Sequence, residues 1–252
     1  MEKIAIITGA TGGLGREFVR VIQSSEDIDA IWAVGRNQEK LENLKAIYSK
    51  VVPICADLTG DGVESITSKL GEEKPDVRLL VNNAGVGYLG KYEEMDSRKV
   101  EEFCNINCTI PAVLMTETLP YMKEGAGILN VSSASSFQPN PYLALYSASK
   151  VFLKNLSRAL SVELEPRNIK VTAVCPGWID TDMLPREKDG KKIRYTGMIS
   201  TEKVVDKAFR DHRKGKDMST PGWFSKYFRF YSKVTPTGIV MKQWKKIVGK
   251  YV

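Results

Sequence analysis

Tyr146 and Lys150 stand four residues apart in the run YSASK. In a helix that spacing puts both side chains on one face. A free phenol titrates near ~10 and is a poor base at neutral pH. An ammonium beside it would stabilise the phenolate and lower its pKa, which suits the pair to moving a proton. The same pattern also describes a surface Tyr beside a helical Lys, so the pair needs company before it means chemistry. Company comes early in the chain, in Thr8-Gly9-Ala10-Thr11-Gly12-Gly13-Leu14-Gly15. Glycines let a backbone turn sharply and approach a pyrophosphate closely. A helix starting there offers free N–H groups and a positive dipole end. Glycines serve plain tight turns as well, but here the run follows an apolar strand and opens a helix, the context that dinucleotide binding needs.

Other chemistries are poorly supplied. His212 is the single histidine of the 252 residues, which argues against Ser-His-Asp hydrolysis. The four cysteines, Cys55, Cys104, Cys108 and Cys175, form no CxxC pair. They read as buried free thiols of a reducing compartment. Cys104 and Cys108 share a helix face, but His212 is far along the chain, so no metal site is expected.

Strand and helix signals alternate around these residues. Apolar runs at 3–8, 30–34, 51–56, 78–83, 127–132 and 170–175 are rich in Ile, Val and Leu with little alternation, as in strands buried on both faces. Helical patterns lie near 14–24, 38–49, 61–70, 96–122 and 145–165. Such alternation predicts an α/β fold with a doubly wound parallel sheet, its ligands at the carboxyl ends of the strands. Hydrophobic residues make up 42% and charged residues 27%, which excludes a disordered or collagen-like chain. No apolar run approaches the ~18 residues of a membrane span. The start, MEKIAIITGA, has no long apolar stretch of secretory type. A cytoplasmic protein is expected, with contact at a membrane periphery left open.

The spacing TGxxxGxG is where the chain resembles the short-chain dehydrogenase/reductase family. Further motifs follow in that family's order: Asp57-Leu58, Asn82-Asn83-Ala84-Gly85, Asn107, Ser133, Tyr146-Ser147-Ala148-Ser149-Lys150, Pro176-Gly177 and Thr181. The match runs over roughly residues 3–183. The resemblance implies a single-domain Rossmann-type fold and a catalytic set of Asn107, Ser133, Tyr146 and Lys150. In it Tyr146 exchanges the proton and Ser133 positions the substrate oxygen. Lys150 lowers the Tyr pKa and holds the nicotinamide ribose, and Asn107 holds a water that links Lys150 to solvent. The resemblance also implies cofactor contacts from Gly9, Thr11, Gly13, Leu14, Gly15, Arg36, Asp57, Leu58, Asn83, Ala84, Gly85, Tyr146, Lys150, Pro176, Gly177, Ile179 and Thr181. The second strand ends Ala33-Val34-Gly35-Arg36-Asn37. It has no carboxylate for a ribose 2′-OH, and it has a guanidinium for a 2′-phosphate. NADP(H) is therefore favoured over NAD(H), although Gly12 stands where many NADP-preferring relatives carry a basic residue.

The implied reaction interconverts a ketone and a secondary alcohol on a small hydrophobic substrate, of hydroxysteroid, bile-acid or 3-oxoacyl type. A substrate lid is expected at about 182–200. Gln138, Leu143, Trp178, Met183 and Leu184 are the pocket candidates. The competing reading is a non-catalytic dinucleotide-binding sensor or scaffold, which a broken catalytic set would favour. A homo-oligomer, dimer or tetramer, is expected.

The formal net charge is +7, but residues 213–252 carry ten Lys or Arg and one acid, and hold 8 of the 22 aromatics. No recognised nucleic-acid motif accompanies that charge. Residues 1–220 read as the catalytic domain and 221–252 as an amphipathic extension. One helical face would hold Trp223, Phe224, Tyr227, Phe228 and Tyr231. A second, after the break at Thr235-Pro236-Thr237-Gly238, would hold Val240, Trp244, Ile247 and Tyr251. Whether the extension covers the cleft, packs on a partner subunit or touches a membrane stays open.

Overall fold

Six apolar runs become six parallel strands: β1 (Lys3–Thr8), β2 (Ala30–Gly35), β3 (Val51–Cys55), β4 (Asp76–Asn82), β5 (Gly127–Val131) and β6 (Lys170–Val174). A seventh, β9 (Met218–Ser219), pairs with β6 in parallel. The sheet order is β3-β2-β1-β4-β5-β6-β9. The structure is a computed structural model, and it describes the chain apart from residues 26, 182, 183, 185, 186, 189, 190, 194 and 250–252. Two further strands, β7 (Glu187–Lys188) and β8 (Lys191–Lys192), pair as a small antiparallel ribbon.

The strands lack alternation because both faces are covered. Ile4, Ile6, Trp32, Leu80 and Ile128 point to one side, against α3 (Gly62–Glu73), α5 (Ile110–Thr118) and α6 (Ala144–Glu163). Ala5, Ile7, Ile31, Val81 and Leu129 point to the other, against α1 (Gly13–Gln23), α2 (Gln38–Ile47) and α7 (Thr201–Arg213). The order of the sheet reverses between β1 and β4, so a crevice opens beyond their carboxyl ends. Every motif above sits there.

Two expectations are corrected. The helix expected over 96–122 is broken into α4 (Ser97–Cys104), a π turn (Asn105–Thr109), α5 and a final 3₁₀ turn (Leu119–Tyr121). Of the cysteines, only Cys175 is buried. Cys104 and Cys108 are half-buried, and Cys55, last residue of the edge strand β3, is exposed. Among the described residues no cluster of His, Cys, Asp or Glu is placed to hold a metal, and no helix is long and apolar enough to cross a membrane.

His212, on α7, lies against Gly127, where a Cβ would meet its Nε2 at 2.2 Å. Its Nδ1 is 2.9 Å from the Thr172 hydroxyl. Burial, then Lys170 and Arg213, push its pKa down to about 4. The unfolded imidazole titrates near ~6.5, so above that pH neither state is charged. As pH falls from there towards 4, the unfolded state takes up the proton first and stability drops. Integrated over that window, the loss is about 3 kcal/mol. Asp211 next to it is held down to about 2, its burial outweighed by Lys207, Lys216 and Ser219, so its own loss begins only at lower pH. Urea unfolding at pH 7 and 4.5 should show wild type losing far more stability than His212→Gln. Equal losses would refute the account.

Candidate active site

The phosphate loop is held from behind. Gly9 has φ +65°, a conformation that suits glycine. Its carbonyl accepts from Gly12 N at 3.1 Å, and a Cβ on Gly15 would lie 2.1 Å from that same oxygen. Gly12 caps α1 with no side-chain bond, so the first N–H groups of the helix remain open to an anion. A Cβ on Gly13 would meet Thr181 at 3.1 Å, which closes the other wall. Leu14 is buried beneath the loop. Thr11 packs beside Gly35 at the end of β2. These residues fit a nicotinamide dinucleotide, because the loop leaves a glycine-lined cradle beside an uncapped helix start.

The Asn-Asn-Ala-Gly turn after β4 is tied to this loop. Asn83 Nδ2 donates to Thr8 O at 3.0 Å and to Gly9 O at 3.1 Å. The backbone N–H groups of Asn83 and Ala84 both donate to Thr8 Oγ1 at 3.0 Å. Asp57, after β3, accepts from Thr59 N and Oγ1 at 3.0 and 2.8 Å. These bonds, with Arg36 adding attraction, hold its carboxyl below the usual range. Leu58 is buried beside it, and Arg36 is exposed at the end of β2.

Lys150, on α6, is buried, and its ammonium donates to Val131 O at 2.9 Å. The Ser132 hydroxyl donates to Lys150 O at 2.8 Å. Burial pushes the Lys150 pKa down to about 8. Its Nζ stands 5.7 Å from the centre of the Tyr146 ring. Tyr146 is half-buried. Burial raises the phenol's pKa, and its hydrogen bond with Ser133 opposes that rise. Burial thus outweighs any lowering from Lys150, whose ammonium stands over the ring.

Asn107 sits in the π turn, and such turns recur at functional sites. Its Oδ1 accepts from Val86 N at 3.1 Å and its Nδ2 donates to Val86 O at 2.9 Å. Gly85 lies between Asn107 and Lys150: a Cβ there would meet Asn107 Oδ1 at 2.8 Å and Lys150 Nζ at 3.3 Å. The structure thus brings Asn107, Ser133, Tyr146 and Lys150 to one wall of the crevice.

An apolar cluster begins right after Ser133, at Ala134. Phe137, Tyr142, Leu143 and Trp178 pack with Ala134, Phe228, Trp244 and Val248. Trp178 stacks on Trp244 at 6.2 Å between ring centres. Phe228 and Trp244 come from α8 (Trp223–Val234) and α9 (Thr237–Val248), so the C-terminal helices pack against the segment that follows Ser133 and against Trp178. Pro176 O accepts from Ala134 N at 2.7 Å, and Gly177 lies against Phe224 and Ser225. Ile179 bridges to Ile199, so its backbone starts and closes the lid segment. Gln138 is buried, and its amide donates to Asn140 Oδ1 at 2.8 Å. Leu184 is half-buried with its N–H on Thr181 O. Met183 lies outside the described residues, as does much of the lid.

Some supporting residues lie outside the expected site set. Asn140 donates from Nδ2 to Ser135 O and Gln138 O at 3.0 and 3.2 Å, which fixes the loop joining Ser133 to Tyr146. Its place in Pro-Asn-Pro was the available turn signal. Asn82 and Asn130 form a buried amide pair at 2.8 Å, and Asn130 donates on to Ser157 of α6 at 2.8 Å. Asn82 opens the Asn-Asn-Ala-Gly motif, but for Asn130 a polar residue inside an apolar strand was the only trace.

The tail's two stripes need correction. On α8 only Phe228 of the expected face is fully buried, and Trp223 and Tyr227 are exposed. On α9 Val240 and Trp244 are buried as expected, but Val248 replaces Ile247, which is exposed. Tyr251 lies outside the described residues.

This geometry has close counterparts. The family model for short chain dehydrogenases matches residues 3–192. Nodulation protein G of a Rhizobium species is 32% identical over 204 residues, spanning 79% of this chain and 82% of that protein. The very-long-chain 3-oxoacyl-CoA reductase-B of Danio rerio is 35% identical over 193 residues, 73% of this chain and 61% of that protein. A short chain dehydrogenase from Burkholderia cenocepacia, solved in complex with NADP, superposes with a TM-score of 0.78 at 25% identity, over 94% of this chain and 95% of that one. With its phosphate cradle and the residues of YSASK meeting at one crevice, the chain belongs to the short-chain dehydrogenase/reductase family and is an NAD(P)-binding oxidoreductase.

Proposed function

We propose that the chain interconverts a ketone and a secondary alcohol on a small hydrophobic substrate, of hydroxysteroid, bile-acid or 3-oxoacyl type, with NADP(H) preferred. The observation that carries this reading is the Tyr146 phenol bonded to Ser133, whose neighbour Ala134 belongs to the apolar cluster of Leu143 and Trp178. A phenol held above its ordinary pKa stays protonated at neutral pH, which suits a proton donor to a developing alkoxide. The bound nicotinamide supplies the hydride. Ser133 holds the substrate oxygen by a hydrogen bond, Tyr146 donates the proton to it, and Lys150 holds the nicotinamide ribose. Asn107 keeps the Val86 backbone and Gly85 in place beside Lys150. Gly9, Gly13, Gly15 and the α1 N-terminus receive the pyrophosphate. Leu143 and Trp178, under the cover of Phe228 and Trp244, favour an apolar substrate body. Exposed Val113 and Phe152, on α5 and α6, support a homo-oligomer.

The test is NADPH oxidation against a panel of steroid, acyl and small ketones. Bulky apolar ketones should give the higher kcat/KM. The alkaline limb of that profile should fall near pH 8, where Lys150 loses its proton. A panel in which no apolar ketone is turned over would end this reading.

A further inference from the structure

We propose that the outer face of α8 and α9 docks onto the surface of an anionic lipid bilayer. This goes beyond the redox reading and does not depend on it. The inner face of the two helices is already used, since Phe228, Val240, Trp244 and Val248 are buried. The outer face is not polar. Trp223, Tyr227, Phe230 and Val234 fall at i, i+4, i+7 and i+11, a single helical stripe. They are 62%, 54%, 66% and 59% exposed. On α9, Ile239 and Ile247 are exposed as well. The two stripes are joined: Tyr227 stacks on Tyr231 at 5.8 Å, and the Tyr231 hydroxyl donates to Gln243 Oε1, one turn from each exposed isoleucine. The fold leaves this apolar surface in water, where soluble monomers rarely tolerate one.

The charge beside the stripe identifies the partner. Lys226, Arg229 and Lys233 run along α8 next to it, and with Thr220 and Phe230 they line a shallow groove. Lys242, Lys245 and Lys246 are exposed on α9. No Asp or Glu follows Asp217 in the chain. A second copy docking through the same face would set these cations against their own kind, because a two-fold interface is self-complementary. An anionic polymer would meet the cations but offer no apolar phase for Trp223, Phe230 and Val234. A bilayer interface supplies both, phosphate headgroups for the Lys and Arg and an acyl boundary for the aromatic stripe. Docking would also set the helices that pack against Trp178 at the lipid surface.

The test is co-sedimentation of the full chain with vesicles of phosphatidylcholine alone or with about a third phosphatidylglycerol. Wild type should bind the mixed vesicles, bind phosphatidylcholine weakly, and weaken sharply in 0.5 M salt, where the screening length is ~4 Å. The triple variant Lys226→Gln, Arg229→Gln, Lys233→Gln should lose about 10²-fold in partitioning. The double variant Phe230→Ser, Val234→Ser should lose more than about tenfold. Both should keep the wild-type urea midpoint and turnover of a water-soluble ketone without lipid. Absence of wild-type binding would overturn the proposal, as would binding indifferent to both variants. So would a lipid-free oligomer that both variants break, or binding to an oligonucleotide at equal strength. Loss of turnover with lipid binding intact would count against the redox reading alone.

Discussion

Replacing Tyr146 by Phe is expected to lower turnover by roughly 10²–10⁴-fold while leaving cofactor binding close to wild type. The variant removes one oxygen and keeps the ring that stands 5.7 Å from the Lys150 ammonium. The backbone of α6 is held by other groups, among them the Ser132 bond to Lys150 O, so the site should keep its shape. What disappears is the proton donor that Ser133 contacts. Because a donor acts in the transition state, kcat and kcat/KM should fall together. Fluorescence titration with NADPH measures the cofactor side separately. Near wild-type turnover in the variant would remove Tyr146 from the chemistry, and a large loss of NADPH affinity would make its role structural.

Cofactor choice should respond to Arg36 by a smaller factor. Its guanidinium is exposed at the end of β2, across from the Asp57 carboxylate that it attracts. A charge-assisted bond to a 2′-phosphate contributes about 1.5–3 kcal/mol. Arg36→Ser should therefore reduce the NADPH over NADH ratio of kcat/KM by about ten- to a hundredfold. Adding Gly35→Asp supplies the carboxylate that accepts from a ribose 2′-OH and repels a phosphate. That second change is crowded, since a Cβ at Gly35 lies 3.3 Å from Thr11 Oγ1 and 3.5 Å from Leu41. The double variant should thus shift preference further but lose absolute activity with both cofactors. A wild type that already prefers NADH, or a ratio unchanged by Arg36→Ser, would take Arg36 out of the site.

Much of this protein was legible in residue order because its signals are local. A strand buried on both faces must be apolar throughout, so β1 to β6 could be located within a few residues. Phosphate loops need glycine at fixed offsets, and helical proton chemistry needs partners four residues apart. The family set follows from motifs of that kind. Other features depend on contacts between distant segments. Nothing in Asn105–Thr109 announces a π turn; it forms where Asn107 must reach Val86 while α5 packs on the sheet. The rise in the Tyr146 pKa comes from enclosure, which residue spacing does not encode. The tail shows the same limit most plainly. Helical period states which residues share a face, but α8 and α9 carry apolar residues on two faces. Only packing decided that Phe228, Trp244 and Val248 turn inward to Trp178 and Leu143, leaving Trp223, Phe230 and Ile247 outside. The cleft offered shape-matched apolar partners to one set, and the helices could satisfy only one set at a time.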